Sequence, residues 1–312
     1  MESCIVTGGA GFIGSNLVER LLQEKNRVIA VDNDPHKKGN IAPFANVKEF
    51  QFILKDINDL KESDTTEDIE VMYHLAASAD IRKSIEDPKM DLKNNVLGTH
   101  NVLELMRKKD IKNMVFASSS AVYGETDIIP TPENIGDIQP ISLYGASKLA
   151  GEAFISAYCS LYGMKAWMFR FANVVGKNEH RGVIFDFIKK LQKNPNELEI
   201  LGDGNQEKSF FDVSDCVAGL VDIPRMDSNT IVEIYNLGNV ETTKVTRLAE
   251  IVSDELGLKP TFRYTGGDRG WKGDVPKTIL SIDKAMNVGW KPQYNAEDAI
   301  RRTVRHILGK QS

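Results

Sequence analysis

The sequence predicts an α/β protein built on a Rossmann-type doubly wound parallel sheet, followed by a smaller C-terminal α/β region. Three observations carry that expectation: short apolar runs alternate with amphipathic helical stretches, the first run ends in a glycine-rich turn, and the alternation stops after about Asn173. The runs are Cys4 to Val6, Val28 to Val31, Phe50 to Leu54, Val71 to Leu75, Met114 to Ala117 and Lys165 to Phe171. Strands covered by helices on both faces read as unbroken apolar runs, and helical crossovers make them parallel. Between them, Leu17, Val18, Leu21 and Leu22 recur at helical spacing, as do Val96, Val102, Leu103 and Met106, so both stretches read as packed crossover helices. A third helix, Leu143 to Leu161, repeats apolar residues at Leu149, Ala153, Phe154, Ala157 and Leu161. Beyond Asn173 come a charged helix from Val183 to Lys193, a turn at Gly202 to Gly204 and a glycine-rich segment from Gly266 to Asp274, which together imply an irregular second region.

Composition sets further bounds. The 312 residues are 41% hydrophobic, 27% charged and 8% aromatic, ordinary for a folded chain and too apolar for a disordered one. A net charge of −5 offers no general attraction to nucleic acid or to an anionic membrane, so neither is an expected partner, and an anionic ligand has to be held by local cations. No run of about 18 apolar residues reads as a membrane span. The first residues open a strand rather than a targeting segment. Cys4, Cys159 and Cys216 form no close pair and no metal-ligand spacing, which fits reduced core thiols in a cytoplasmic protein. His36, His74, His100, His180 and His306 show no paired metal spacing and suggest no hydrolase set.

The segment Thr7-Gly8-Gly9-Ala10-Gly11-Phe12-Ile13-Gly14 lies between the first strand and the first helix, where a dinucleotide pyrophosphate needs close backbone approach and a helix N-terminus. Gly8, Gly11 and Gly14 recur every third residue, which suits a tight turn, a backbone bare of Cβ atoms beside phosphate, and a helix held close to its strand. Asp32 ends the second run about 20 residues later, where a carboxylate can accept hydrogen bonds from ribose hydroxyls. An acid there disfavours a 2′-phosphate, so NAD is expected over NADP even with Lys37 and Lys38 close by in sequence.

Tyr144-Gly145-Ala146-Ser147-Lys148 puts a phenol and an ammonium four residues apart, on one face of the third helix. A nearby cation favours phenolate, so Tyr144 is a candidate general base with Lys148 as the group that tunes it.

These motifs, taken together, resemble those of the extended short-chain dehydrogenase/reductases, specifically the NAD-dependent nucleotide-sugar epimerases of the UDP-glucose 4-epimerase kind. The resemblance spans essentially the whole chain: the glycine turn, Asp32-Asn33, Asp56-Ile57, His74 to Ala77, Asn95, Ser118 to Gly124, Tyr144 to Lys148, and Arg170 to Gly176. It implies that Asn33, Asp56 and Ile57 border the adenosine, that Leu75, Ala76 and Ala77 line the cofactor, and that Asn95 braces the active site. The catalytic hydroxyl falls on Ser119, with Ser118 or Ser120 as alternatives. Sugar-nucleotide dehydratases, which resemble this family, carry an acidic pair in the next two positions, and here Ser120 and Ala121 stand there.

The implied reaction is NAD-dependent 4-epimerisation of UDP-glucose and UDP-galactose through a transient 4-keto sugar, an isomerase activity. Asn173 resembles the asparagine that meets the substrate diphosphate. Lys208 stands where the family has an arginine, and Trp271 takes the place of a later one, leaving Arg269 or Lys272 to replace it. Lysine keeps the charge and loses the bidentate fork. Thr278 falls at the pocket wall, where a small side chain leaves room for an N-acetyl group. The implied division is 1–172 for the NAD-binding domain, with a return segment at about 210–240, and 173–209 plus 241–312 for the substrate domain. A homodimer pairing the helices of Asn95 and Tyr144 is implied as well. The alternatives are another sugar-nucleotide enzyme of this type, a dehydratase or reductase, or a catalytically silent NAD-binding regulator.

Overall fold

The computed structural model describes residues 2–65, 68–226, 230–271 and 273–310; Lys272 lies outside the described residues. In chain order the strands are β1 (Ser3–Thr7), β2 (Arg27–Asp32), β3 (Phe50–Leu54), β4 (Val71–His74), β5 (Asn113–Ala117), β6 (Lys165–Phe171) and β7 (Asn173–Val175). They continue as β8 (Glu197–Ile200), β9 (Glu207–Lys208), β10 (Phe210–Asp212), β11 (Val232–Leu237), β12 (Thr243–Lys244), β13 (Thr261–Tyr264) and β14 (Lys277–Thr278). The helices are α1 (Phe12–Gln23), α2 (Ile81–Glu86), α3 (Pro88–Asp91), α4 (Gly98–Lys109) and α5 (Leu143–Tyr162). The later ones are α6 (Val183–Lys193), α7 (Val213–Asp222), α8 (Val245–Leu256), α9 (Asp283–Asn287) and α10 (Ala296–Ile307). All six apolar runs are strands, shifted by no more than a residue at either end.

Seven strands form one sheet in the order β11-β6-β5-β4-β1-β2-β3, and the pairs from β3 across to β6 are parallel. The strand order reverses at β1, which lies between β2 and β4; the crevice at such a point, beyond the carboxyl ends of the strands, is where doubly wound sheets bind ligands. Thr7, Asp32, His74 and Ala117 are the last residues of their strands, and their successors open on that edge.

The chain forms two compact units, Met1–Gly124 with Asp137–Arg170 and Leu220–Tyr235, and Glu125–Gly136 with Phe171–Gly219 and Asn236–Ser312. Apolar side chains on one face of the sheet, Ile5, Ile29, Met72, Met114, Phe116 and Met168, pack with Leu103 of α4 and Ile155 of α5 into a core of the first unit. The second unit has its own core, where Ile184, Phe187 and Leu191 of α6 meet Leu248 and Ile251 of α8 and Ile300 and Val304 of α10. Residues 125–136, counted with the first region in the sequence reading, group with the second. Thr131 is the reason: its amide donates to the Ile279 carbonyl at 2.8 Å, and its own carbonyl accepts from the Ser281 amide at 2.9 Å. Among the described residues no helix is long and apolar enough to cross a membrane. Cys4, Cys159 and Cys216 are free and buried.

Two local features depart from the sequence pattern. Leu92–Leu97, ahead of α4, winds as a wider π turn with Asn95 buried inside it, a device that re-aims side chains at functional sites. In α5 the apolar repeat is largely on the outside, with Phe154 42% and Leu161 72% exposed. The buried face carries Gly145, Ser147, Lys148, Gly151, Glu152, Ile155 and Cys159 instead. Gly151 permits that approach, since a Cβ there would sit 3.0 Å from the Phe116 ring.

Candidate active site

The glycine turn is built by contacts that exclude side chains. Gly8 has φ +70°, in the left-handed region that favours glycine, and a Cβ on it would lie 2.9 Å from the Ala76 amide nitrogen. A Cβ on Gly14 would overlap the Gly8 carbonyl oxygen, so α1 can lie against the turn only without one. Gly11 caps α1 without a side-chain hydrogen bond, and the first turn carries no acidic residue. The leading amides, Phe12 and Ile13 among them, have no intrahelical acceptor and lie at the positive end of the helix dipole, which suits an anion.

Asp32 ties this turn to β2. One carboxylate oxygen accepts from the Ala10 amide at 3.2 Å and the other from the Asp34 amide at 3.0 Å. Each keeps a lone pair for a further donor. Lys37 lies 4.0 Å from Asp32 and 3.5 Å from Asp34, and Lys38 stands over the Phe52 ring, so both nearby cations are engaged within the chain. These residues fit a dinucleotide whose ribose presents hydroxyls to Asp32. Asn33 donates to Asp56 at 2.9 Å. Burial pushes the Asp56 carboxyl up, but hydrogen bonds from Asn58 and Asn33 win and hold it below its ordinary range. The Ile57 side chain is buried and packs where a Cβ on Gly98 would collide with it.

A buried hydrogen-bond chain runs from the turn to α5. Thr7 Oγ1 meets His74 Nδ1 at 2.7 Å, His74 Nε2 meets Thr99 Oγ1 at 2.9 Å, and Thr99 donates to the Asn95 carbonyl at 2.5 Å. Leu75, Ala76 and Ala77 follow directly, held by Leu75 N to the Thr7 carbonyl at 3.1 Å and Ala76 N to Thr7 Oγ1 at 3.3 Å. The Asn95 amide group accepts from the Ser78 backbone at 2.7 Å and donates to Ser147 Oγ of α5 at 2.8 Å.

Ser119 follows β5, its hydroxyl accepting from the Ala121 amide at 3.1 Å and hydrogen-bonding the Tyr144 phenol. Lys148 is buried and donates to the Ala117 carbonyl at 2.7 Å, with its ammonium 4.9 Å from the Phe116 ring centre and 5.9 Å from that of Tyr144. The sequence reading, in which the ammonium keeps the phenol ionised, needs correction. Burial pushes the Tyr144 phenol up to about 12, further than the Ser119 hydrogen bond pulls it down, with Asp91 adding to the rise. Lys148 is itself brought down to about 8 by burial, against the carboxylates of Glu152 and Asp91. Lys148 therefore anchors the helix to the strand, and in the protein alone the phenol keeps its proton.

The second unit gathers the four other candidates. Asn173 donates from both its backbone and its side-chain amide to the Ser209 carbonyl, at 3.1 and 3.2 Å. Lys208 pairs with Thr278 across β9 and β14. The Lys208 ammonium is 2.9 Å from Asp274 and also donates to the Val275 carbonyl, while Arg269 is paired with Glu125 and donates to the Asp274 carbonyl at 3.0 Å. Asp274 thus links the two cations, and both are engaged by acidic groups.

Sequence reasoning missed one buried cluster. Glu152 receives Arg170 through two bonds, 3.0 Å from Nε and 2.7 Å from Nη2, and Ser118 Oγ donates to it at 2.5 Å. The available signal was spacing: Glu152 lies four residues beyond Lys148 and eight beyond Tyr144, on the same helix face.

A family model described as the NAD dependent epimerase/dehydratase family matches residues 4–238. The chain belongs to that family. NAD is its cofactor. A Methanocaldococcus jannaschii protein named putative UDP-glucose 4-epimerase is 41% identical over 308 residues, covering 96% of each chain. A solved UDP-galactose 4-epimerase superposes with a TM-score of 0.85 at 36% identity, over 98% of this chain and 99% of that one. A UDP-glucuronic acid 4-epimerase from Bacillus cereus, solved with UDP-glucuronic acid and NAD, gives 0.90 at 28% identity over the same shares. The doubly wound sheet read from the sequence is the fold these structures share.

Burial, reinforced by the Lys148 charge, lowers the pKa of His74 from its ordinary 6.5 to about 3. Below pH 6.5 the unfolded chain takes up a proton that the folded chain refuses, so this part of the stability is complete above 6.5 and is lost as pH falls toward 3. Urea denaturation of the wild type and His74→Gln at pH 7 and pH 5 is expected to show a larger fall for the wild type; equal falls would refute the assignment.

Proposed function

We propose that the protein is a UDP-hexose 4-epimerase, interconverting UDP-glucose and UDP-galactose through a transient 4-keto sugar. One observation carries the reading. The Ser119 hydroxyl acts on the Tyr144 phenol, lowering its pKa, beside the Lys148 anchor, and the next two positions, Ser120 and Ala121, hold no acid or base. Proton transfer to and from one hydroxyl is within this set, whereas elimination of water needs a further acid and base. The glycine turn and Asp32 bind the dinucleotide, Ser119 and Tyr144 carry the chemistry, and Asn173, Lys208 and Arg269 meet the UDP-sugar at its diphosphate.

NAD, when bound, supplies the acceptor and donor for the C4 hydrogen, and in its oxidised form a positive charge of the sign that lowers a phenol pKa. The Ser119 hydroxyl hydrogen-bonds O4 and holds it at the Tyr144 phenol. Tyr144 takes the O4 proton as the carbonyl forms and returns it when the alcohol is restored. Because the hydrogen returns to the opposite face, the hexose has to turn over while the nucleotide stays fixed, so binding strength belongs at the diphosphate. Lys208 retains an N–H beyond its two acceptors for that purpose.

The protein also acts as a homodimer through α4 and α5. Phe154, Leu161 and Tyr162 of α5, and Leu97 in the turn that leads into α4, are 42 to 72% exposed, which leaves the apolar repeat of α5 for a second copy to cover.

Incubation with UDP-glucose, followed by separation of the epimers, is expected to give both sugars at equilibrium with no new product mass; conversion to a dehydrated product would favour the dehydratase alternative. Tyr144→Phe is expected to lower kcat by about 100- to 10,000-fold, the usual value of a positioned acid-base group, with NAD still bound. Full activity in that variant would defeat the reading.

Thr278 is half-buried on β14 opposite Lys208 of β9; with this small side chain taken as the pocket wall, UDP-N-acetylglucosamine is a second substrate. Replacement by Tyr should reduce N-acetylhexosamine turnover by about tenfold relative to hexose turnover, in line with the cost of overfilling a packed site. An unchanged ratio would remove Thr278 from the pocket wall.

A further inference from the structure

Three consecutive residues at the end of β5 are each fastened to the same face of α5. The Ala117 carbonyl receives Lys148, the Ser118 hydroxyl donates to Glu152, and the Ser119 hydroxyl meets Tyr144. The Ser118 amide is also bound to the Phe169 carbonyl of β6 at 2.8 Å, and Arg170, the next residue on that strand, closes the group on Glu152. Ser118 and Arg170 are 2% exposed and Glu152 is 4% exposed. The Arg170 guanidinium also stands 4.8 Å over the Tyr123 ring. A buried pair of this kind contributes little net stability over two apolar residues of the same size, so stability alone does not account for it.

We propose that Glu152 and Arg170 are positioning residues for the reaction: their buried ion pair, with Ser118 as its third member, fixes the strand end that carries the Ser119 hydroxyl and supplies an anionic neighbour to the Lys148 ammonium. The inference rests on the 4-epimerase reading of Ser119, Tyr144 and Lys148. The position of Ser118 is set by a charged acceptor from α5 and a backbone acceptor from β6, so both bonds resist a displacement of the adjacent Ser119 backbone. A displacement of about 1 Å in a reacting group can cost about a hundredfold in rate.

The electrostatic half has a definite sign. Lys148 is faced by Asp91 from α3, by Glu152 from its own helix, by His74 from β4, which is neutral at working pH, and by the rings of Phe116 and Tyr144. Glu152 is the stronger of the two carboxylates holding Lys148 protonated. Without it the ammonium gives up its proton at lower pH, and the alkaline limb of the rate profile moves the same way.

The test replaces the pair by apolar residues, Glu152→Met with Arg170→Met, in the full-length protein loaded with NAD. A purely structural pair would be restored by this exchange, with wild-type kcat and pH profile. The proposal expects a folded protein whose kcat falls about ten- to a hundredfold, whose KM for UDP-glucose stays within about threefold, and whose alkaline limb lies at lower pH. Wild-type kcat with an unmoved limb would overturn it. Should the double variant fail to fold, Ser118→Ala leaves the ion pair in place and tests the positional half: kcat is expected to fall about tenfold with KM unchanged, and wild-type kcat would overturn the proposal. A wild-type protein that interconverts no UDP-sugar defeats the 4-epimerase reading itself and this inference with it, whereas an active wild type with equally active variants defeats the positioning role alone.

Discussion

A buried ammonium donating to the carbonyl at the end of a central strand holds together the group of side chains proposed as the reaction centre. The Lys148 bond to Ala117 is the point where α5 is fastened to the sheet. A charged donor in a buried site contributes about 1.5 to 3 kcal/mol when its acceptor is in place, and costs at least as much when it is not. The helix reaches that depth only because Gly145 and Gly151 present no side chain to the Ala121 carbonyl and the Phe116 ring. With the helix seated there, the Tyr144 phenol meets the Ser119 hydroxyl, Ser147 reaches Asn95, and Glu152 meets Ser118.

The same burial that secures the helix works against ionised groups. It raises the phenol, lowers the ammonium and keeps His74 neutral. The protein alone therefore holds a protonated tyrosine beside its serine, and the positive charge of oxidised NAD acts in the direction needed to make that tyrosine a base. On the proposed mechanism the acid-base role of Tyr144 is in this way linked to the loaded cofactor. In the second unit, Lys208 and Arg269 are held by Asp274 and Glu125, which fixes both cations for the diphosphate role proposed for them.

The sheet and the nucleotide turn were legible because their chemistry is local. A strand, three glycines and an acid at the end of the next strand lie within the first 32 residues, and each is required by backbone geometry. Tyr144 and Lys148 were legible through helical spacing, although the effect of one on the other was not: burial, invisible in a sequence, outweighs the attraction assumed between them. Glu152 and Arg170 were hidden for a related reason. Charged residues are normally solvated, and only the fold brings positions 152, 170 and 118 together inside it. The α5 repeat misled in the opposite sense, for the apolar stripe is on the outside and the buried face is made of glycine, serine and charged groups. That inversion fits the proposed roles, chemistry on the inner face of the helix and a second copy on the outer one.

The central claim is that the C4 hydrogen leaves the sugar and returns to the same carbon within one bound complex, with Tyr144 moving only the hydroxyl proton. UDP-glucose carrying deuterium at C4, turned over in ordinary water and examined by NMR, tests it most directly. The account expects UDP-galactose with deuterium retained at C4. Product carrying solvent hydrogen at C4 would contradict it, because the C4 hydrogen would then have passed through water as a proton.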